Sequence, residues 1–357
     1  AWAGTRRIVL GLSGGLDSRS VAAALSRARV PYAAVTFTSR RKKAAEETQT
    51  SMEIARALGV PWEELQLALP SWEDERRMAE MRDGTSNVAL AFIAEYFALL
   101  AARFGADALH FTGDGGDRAL PDLRAEAPIK DRDAFVDHRF ANGLWSVDDA
   151  AALVGLPARD VVDAIREHFA SYPERDPRYL NVRFMIADWA PGRLFFGEDR
   201  NRSFLWNATP FYCQSFFEAA MRAPLKRKEH YKLYAAFLRA LDGRLRGIAK
   251  SNWGYAVDSP LVRITAWREG GSALLARIAR RFGSRGAAPG GRYGTQANDP
   301  GFAALARSYA GDGFDRARLA DASASGLDKL QYHMLATALL YIDSVWGGVC
   351  EGKEASR

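Results

Sequence analysis

Cysteine is nearly absent: the 357-residue sequence holds two, Cys213 and Cys350. Neither lies in a Cys-x-x-Cys pair, so no zinc-ribbon or dithiol redox pattern is present, and both are expected to be reduced and structural. Histidine is sparse and scattered at His110, His138, His168, His230 and His333, with no metal-binding spacing. His110 is expected in the core. No apolar run approaches the length that spans a bilayer, which excludes a membrane helix. The start, AWAGTRRIVL, lacks a signal-peptide layout and an initiator Met. A cytoplasmic chain is therefore expected, and the missing Met reads as a processed, trimmed or subdivided product. There is no internal repeat. Charge of one sign is also lacking: 49 basic residues face 43 acidic ones for a net +6. That mild, dispersed excess reads as a solvated surface. The densest basic stretch, 276–292, runs into Gly and Pro without interleaved aromatics, so it reads as a helix end and loop. A nucleic-acid partner is not indicated.

What is present alternates. Short apolar runs at 6–12, 30–38, 62–69 and 106–113 read as strands. Amphipathic stretches at 18–28, 44–59 and 86–105 read as helices. Such alternation predicts parallel strands joined by right-handed crossovers, an open doubly wound α/β sheet. Its ligands bind at the carboxyl ends of the strands. Beyond about residue 125 the alternation gives way to helical stretches. The expected division is an α/β core at 1–125 and a mostly helical part at 126–357, with 284–301 as a candidate disordered loop.

Two junctions carry chemistry. Between strand one and helix one stands Ser13-Gly14-Gly15-Leu16-Asp17-Ser18. Glycines allow close backbone approach, hydroxyls add donors, and a helix start offers unpaired N–H groups at the positive end of a dipole, together an anion cradle suited to phosphate. Asp17 would repel phosphate unless it holds Mg2+. The plain alternative is a tight turn with Asp17 as a helix cap. After strand four stands Thr112-Gly113-Asp114-Gly115-Gly116-Asp117. The topology brings Asp17, Asp114 and Asp117 toward one crevice, a set that fits metal binding plus an acid-base group. Alone, this second stretch also reads as a glycine-rich turn with solvated acids.

LSGGLDSR and TGDGGD together resemble the synthetase domain of the asparagine synthetase family, a group of N-type ATP pyrophosphatases that includes β-lactam synthetases and lasso-peptide macrocyclases. ATPFYCQSFFEAAMRAPLKRKEHYKLYAAFLRAL and RLRGIAKSNWGYA are similar to two further segments of that family. The likeness spans roughly 6–260. It implies an adenine nucleotide α-hydrolase-like fold and an AMP-forming ligase that activates a carboxylate and joins it to an amine, with ATP and Mg2+ as cofactors. Carried over by position, Ser13, Gly14, Gly15 and Ser18 would hold pyrophosphate. Asp17 and Asp117 would bind Mg2+. Leu12 and Phe37 would flank adenosine, and Thr112 and Gly113 would close that side. Asp114 stands where amidating members carry Glu and β-lactam synthetases Tyr, which makes it the candidate base. Lys250 corresponds to the lysine that stabilises charge on pyrophosphate and on the tetrahedral intermediate, against the alternative of an ordinary surface lysine. Arg19 reads either as a helix-surface arginine or as a contact to a substrate carboxylate or phosphate. Trp253 and Tyr255 line a pocket or simply pack.

The sequence departs from the family in three places. It shows no glutaminase domain, which leaves room for a partner chain, a separate N-terminal domain or an amine supplied by the substrate. Asp117 is followed by Arg118-Ala119-Leu120-Pro121, and Pro210-Phe211 by Tyr212-Cys213. Both changes fall near the expected acceptor side and weaken ordinary aspartate amidation as the reading. The alternatives are a tRNA-modifying N-type ATP pyrophosphatase and a catalytically inactive nucleotide-binding relative.

Overall fold

The structure, a computed structural model, describes residues 6–38, 42–123, 129–141, 143, 145–191, 196–251, 253–262, 300–309, 311, 313–325, 327 and 329–345. Five strands form one all-parallel sheet: β1 (Ile8–Gly11), β2 (Ala33–Thr38), β3 (Trp62–Gln66), β4 (Leu109–Phe111) and β5 (Trp206–Ala208). Their order is β3-β2-β1-β4-β5. Helices α1 (Leu16–Arg27) and α2 (Lys42–Leu58) follow the first two strands. The expected open α/β sheet is present, and β1 and β4 lie side by side. The glycine-rich sequences after each therefore leave the same sheet edge.

Local sequence explains these elements. β1 is covered on both faces, with Val9 and Leu10 fully buried, as a central parallel strand requires. β3 is an edge strand, and its Glu63 and Glu64 suit a half-exposed position. β4 is shorter than the expected 106–113. A turn at Gly105 (φ +102°), closed by Ala108 N–H donating to Gly105 O at 3.1 Å, takes up its beginning. The expected helix at 86–105 resolves into a 3-10 turn, Val88–Leu90, started by Asn87, whose side chain accepts from Ala89 N–H at 2.8 Å, and a helix at Phe92–Phe104. β5 was not expected: three residues are too short to show a period.

The chain separates into two compact units. The first comprises Ala1–Ala68, Ile93–Ala127 and Leu194–Ser284; the second comprises Leu69–Phe92, Pro128–Arg193 and Arg285–Arg357. A single cut near residue 125 thus does not describe the chain, because the stretch 194–284 returns to the sheet-bearing unit and supplies β5. The core of that unit joins Leu10, Leu12, Leu16, Val21 and Ile54 to Phe211, Tyr234, Leu238 and Leu245. The second unit is helical. Phe302, Tyr332, Ala336 and Leu339 form one of its clusters, and Phe135, Phe169 and Leu180 another. The expected helices there are found at Val147–Leu153, Ala158–Ala170 and Lys329–Val345. Of the expected loop at 284–301, Pro300 and Gly301 instead begin a helix, Pro300–Ser308. The rest of that loop, the whole basic stretch 276–292, and Cys350 lie outside the described residues. No helix among the described residues is long and apolar enough to cross a membrane.

Candidate active site

α1 begins at Gly15, which occupies the N-cap with extended backbone and no side-chain cap. This removes the plain reading of Asp17 as a cap. Its first-turn N–H groups are left to the crevice. The hydroxyls brace the loop instead: Ser13 N–H donates to Ser18 Oγ at 3.0 Å, Gly15 N–H donates to Ser13 Oγ at 3.2 Å, and the two hydroxyl oxygens are 3.0 Å apart. Leu12 is buried, its N–H donates to Val35 O, and its carbonyl accepts from Thr36 Oγ1 at 2.7 Å. Its side chain belongs to the core. Phe37, at the end of β2, is half-buried with its ring 4.9 Å from that of Tyr96.

The loop after β4 rides directly on this helix start. A Cβ at Gly113 would come within 2.3 Å of Ser18 N, and one at Gly116 within 2.6 Å of Asp17 Oδ1. Gly115 has φ +85°, and a Cβ there would lie 2.1 Å from the Tyr212 ring. Glycine is thus needed at all three positions, one for conformation and closeness, two for closeness alone. The arrangement excludes the reading of this loop as a turn with merely solvated acids. Asp117 is exposed and pairs with Arg118 at 3.3 Å. Asp114 is half-buried, and its carbonyl accepts from Thr209 Oγ1 at 2.7 Å.

The charges are strongly coupled. Desolvation, and next the charge of Asp117, push Asp17 up to about 7, opposed by a hydrogen bond from Tyr234 and by the charge of Lys250. Desolvation likewise raises Asp114, which shares a hydrogen bond with Glu198. Glu198 is raised to about 7, first by burial and then by the Asp114 charge. Each carboxyl in such contact disfavours ionisation of the other. A buried hydrogen-bond chain supports Glu198. Thr112 Oγ1 donates to Glu198 Oε1 at 3.1 Å, and Asn207 Nδ2 donates to Glu198 Oε2. Asn207 Oδ1 accepts from His110 Nδ1 at 2.5 Å, which leaves His110 Nε2 to accept from Tyr96 Oη at 3.1 Å. His110 is a core residue as expected, held neutral by burial, which lowers it to about 4.

Lys250 lies in a turn: its N–H donates to Tyr255 O, and its carbonyl accepts from Trp253 and Gly254 N–H. Its Nζ sits 4.0 Å over the Trp253 ring, so Trp253 both packs on the core and contacts the lysine. Its charge acts on Asp17, so it is not a remote surface lysine. Arg19 fits neither sequence reading. It is fully buried, and its guanidinium bonds to backbone carbonyls.

The structure thus brings Ser13, Gly14, Gly15, Asp17, Ser18, Gly113, Asp114, Asp117 and Lys250 to one sheet edge. Sequence reasoning missed Glu198, Tyr234, Asn207 and Arg200, which is buried and whose charge acts on Asp114. A Glu-Asp-Arg run at 198–200, upstream of the Pro210-Phe211 segment, was the one local signal available. As a cation site, Asp17 and Asp117 offer two neighbouring carboxylates whose repulsion a hard divalent ion would relieve, so the donor set fits Mg2+. Among the described residues no group of three or more His, Cys, Asp or Glu is arranged to hold a metal. Further ligands would come from phosphate oxygens and water, as Mg2+ commonly takes them.

The family model described as asparagine synthase matches residues 4–241, about two thirds of the chain. No curated protein sequence matches significantly. The matched stretch contains both glycine loops, β1 to β5, Glu198 and Tyr234, and so nearly all of the assembled crevice. By that match, the chain belongs to the asparagine synthase family.

Proposed function

We propose that this chain is an AMP-forming amide ligase that uses ATP to activate a substrate carboxylate as an acyl-adenylate and then joins the acyl group to an amine. One observation carries the reading: an uncapped helix start, a carboxylate pair, an acid couple and a lysine share one sheet edge. In this scheme the loop Ser13, Gly14, Gly15 and Ser18 binds the departing pyrophosphate through N–H and hydroxyl donors. Phe37 flanks adenosine, with Thr112 and Gly113 on the same side, while Leu12 lies in the core beneath. Asp17 and Asp117 would hold Mg2+, which would offset negative charge on the phosphates.

The substrate carboxylate oxygen forms a bond to the α-phosphorus as the bond to pyrophosphate breaks. The Lys250 ammonium offsets the charge released there, a fixed positive group worth several kcal/mol. In the second half, the amine nitrogen bonds to the acyl carbon and AMP leaves. An amine attacks only when neutral. The Asp114–Glu198 couple, with Glu198 at about 7, accepts the proton at a pH where a base is both free and strong enough. Amide or lactam products both satisfy this chemistry. The run Arg118-Ala119-Leu120-Pro121 after Asp117, and the Tyr212 ring against Gly115, favour a specialised acceptor over ammonia.

The test is ATP consumption with Mg2+ and a panel of carboxylates, resolving AMP plus pyrophosphate from ADP plus phosphate. Acid-dependent AMP and pyrophosphate are expected. ATP binding with no turnover under any acid, with or without added amines, would count for a nucleotide-binding relative instead. Copurifying RNA with steeply salt-dependent binding would count for the tRNA-modifying alternative.

A further inference from the structure

We propose that Arg19 is the positioning residue that locks the Lys250 turn onto the pyrophosphate loop. The proposal rests on the ligase reading for the role of Lys250, while the clamp itself stands on geometry. Arg19 is the fourth residue of α1 and is 0 % exposed. One terminal nitrogen, Nη1, donates to Leu245 O at 3.2 Å and to Ile248 O at 2.6 Å. The other, Nη2, donates to Ala249 O at 2.9 Å and to Gly14 O at 3.3 Å. Three of these four carbonyls lie in the five residues before Lys250. The fourth belongs to the glycine loop.

The segment so held also buries Leu245 and Ile248 in the core of the sheet-bearing unit. The short helix Gly243–Arg246 ends at Gly247, and carbonyls at such an end have no helical partner. A buried cation is the natural group to satisfy them. Gly14 O is shared: it also accepts from Ser251 N–H at 3.4 Å. A Cβ on Gly14 would lie 2.5 Å from Ser251 Oγ, so loop and turn are in direct contact there. Arg19 and Ser251 therefore grip the same loop carbonyl from either side of Lys250. Only a guanidinium reaches four carbonyls from two nitrogens in a fixed plane; an ammonium is a single point donor. Burial lowers the guanidinium to about 10, opposed by the charge of Glu53, so it stays a cation near neutral pH.

A lysine whose charge must meet a reacting phosphate loses its effect if displaced by about 1 Å, on the order of 100-fold in rate. The test is a double-mutant cycle on pyrophosphate–ATP exchange, with Arg19→Lys and Lys250→Met alone and combined. Arg19→Lys is expected to lower the exchange kcat about 100-fold with KM for ATP changed less than about threefold. In the Lys250→Met background the same change should cost almost nothing further. Equal losses in both backgrounds would overturn the proposal, since Arg19 would then act independently of Lys250. So would an unchanged kcat.

Arg19→Gln, which removes the buried charge and keeps an amide donor, is the second variant should Arg19→Lys fail to fold, and it is expected to give the same non-additivity. Hydrogen exchange on the wild-type chain is read alongside. The Lys250 and Ser251 amides should exchange as slowly as those of α1; fast exchange would overturn the clamp. If the wild type shows no pyrophosphate exchange with any acid, the ligase reading fails, and hydrogen exchange alone decides the clamp.

Discussion

Tyr234 Oη donates a hydrogen bond to Asp17 Oδ1 at 2.5 Å, joining residues 217 apart in sequence. Tyr234 is fully buried, and burial beside Asp17 keeps its phenol protonated well beyond the ordinary range, so it remains a donor. Hydrogen bonds to charged groups contribute about 1.5–3 kcal/mol. Tyr234→Phe should therefore slow acid-dependent AMP formation roughly 10- to 100-fold while the protein stays folded by circular dichroism. Full activity would show that Asp17 needs no partner from this helix.

Asp17 is also confined from the other side. Gly116→Ala would place a methyl group 2.6 Å from its Oδ1, and the carboxylate would have to turn away. Turnover should fall about as far as in Asp17→Asn, which should abolish it. Gly113→Ala would instead collide with the backbone of Ser18 at 2.3 Å. Its main effect should be on folding, a melting temperature lower by several degrees, read by differential scanning calorimetry.

The acid couple predicts a separation of steps. Asp114→Asn and Glu198→Gln should each slow amide formation, by about 10²- to 10⁴-fold for a lost general base. Pyrophosphate exchange should stay largely intact in both. Because the two share one function, the double variant should be little worse than either single one. Loss of exchange together with amide formation would assign Asp114 a metal-binding or structural role.

His110 makes stability depend on pH. Its folded value is depressed from 6.5 to about 4, so below 6.5 the unfolded chain binds a proton that the folded chain refuses. The stabilisation is complete above 6.5 and is lost as pH falls toward 4. That range corresponds to about 3 kcal/mol. Urea unfolding of wild type against His110→Gln should show a shallower slope for the variant across this window. Parallel slopes would mean that His110 does not titrate as its burial requires.

The candidate site was legible where its chemistry is contiguous. Ser13 to Ser18 and Thr112 to Asp117 stand between strand and helix with residues no core would select, and the structure places both at neighbouring strand ends. Lys250 was legible by resemblance. Arg19 was not, because the position after Ser18 reads as one more helical residue. Its burial depends on Leu245, Ile248 and Ala249 closing over it from 226 to 230 residues away. Glu198 was missed for a related reason: its role depends on Asn207 and His110, each of which looks like an ordinary polar residue in a short strand.

The sequence by itself thus determined the parallel α/β class, the two glycine loops and the convergence of Asp17, Asp114 and Asp117. Glycine spacing, apolar periodicity and acid placement are local properties that the topology rules turn into a common edge. Only the tertiary structure decided that Asp114 meets Glu198, that Tyr234 holds Asp17, and that Arg19 faces inward. It also decided that residues 194–284 complete the sheet-bearing unit. Burial and hydrogen-bond partnership arise when distant segments displace water from one another, and no short window of sequence records which segments those are.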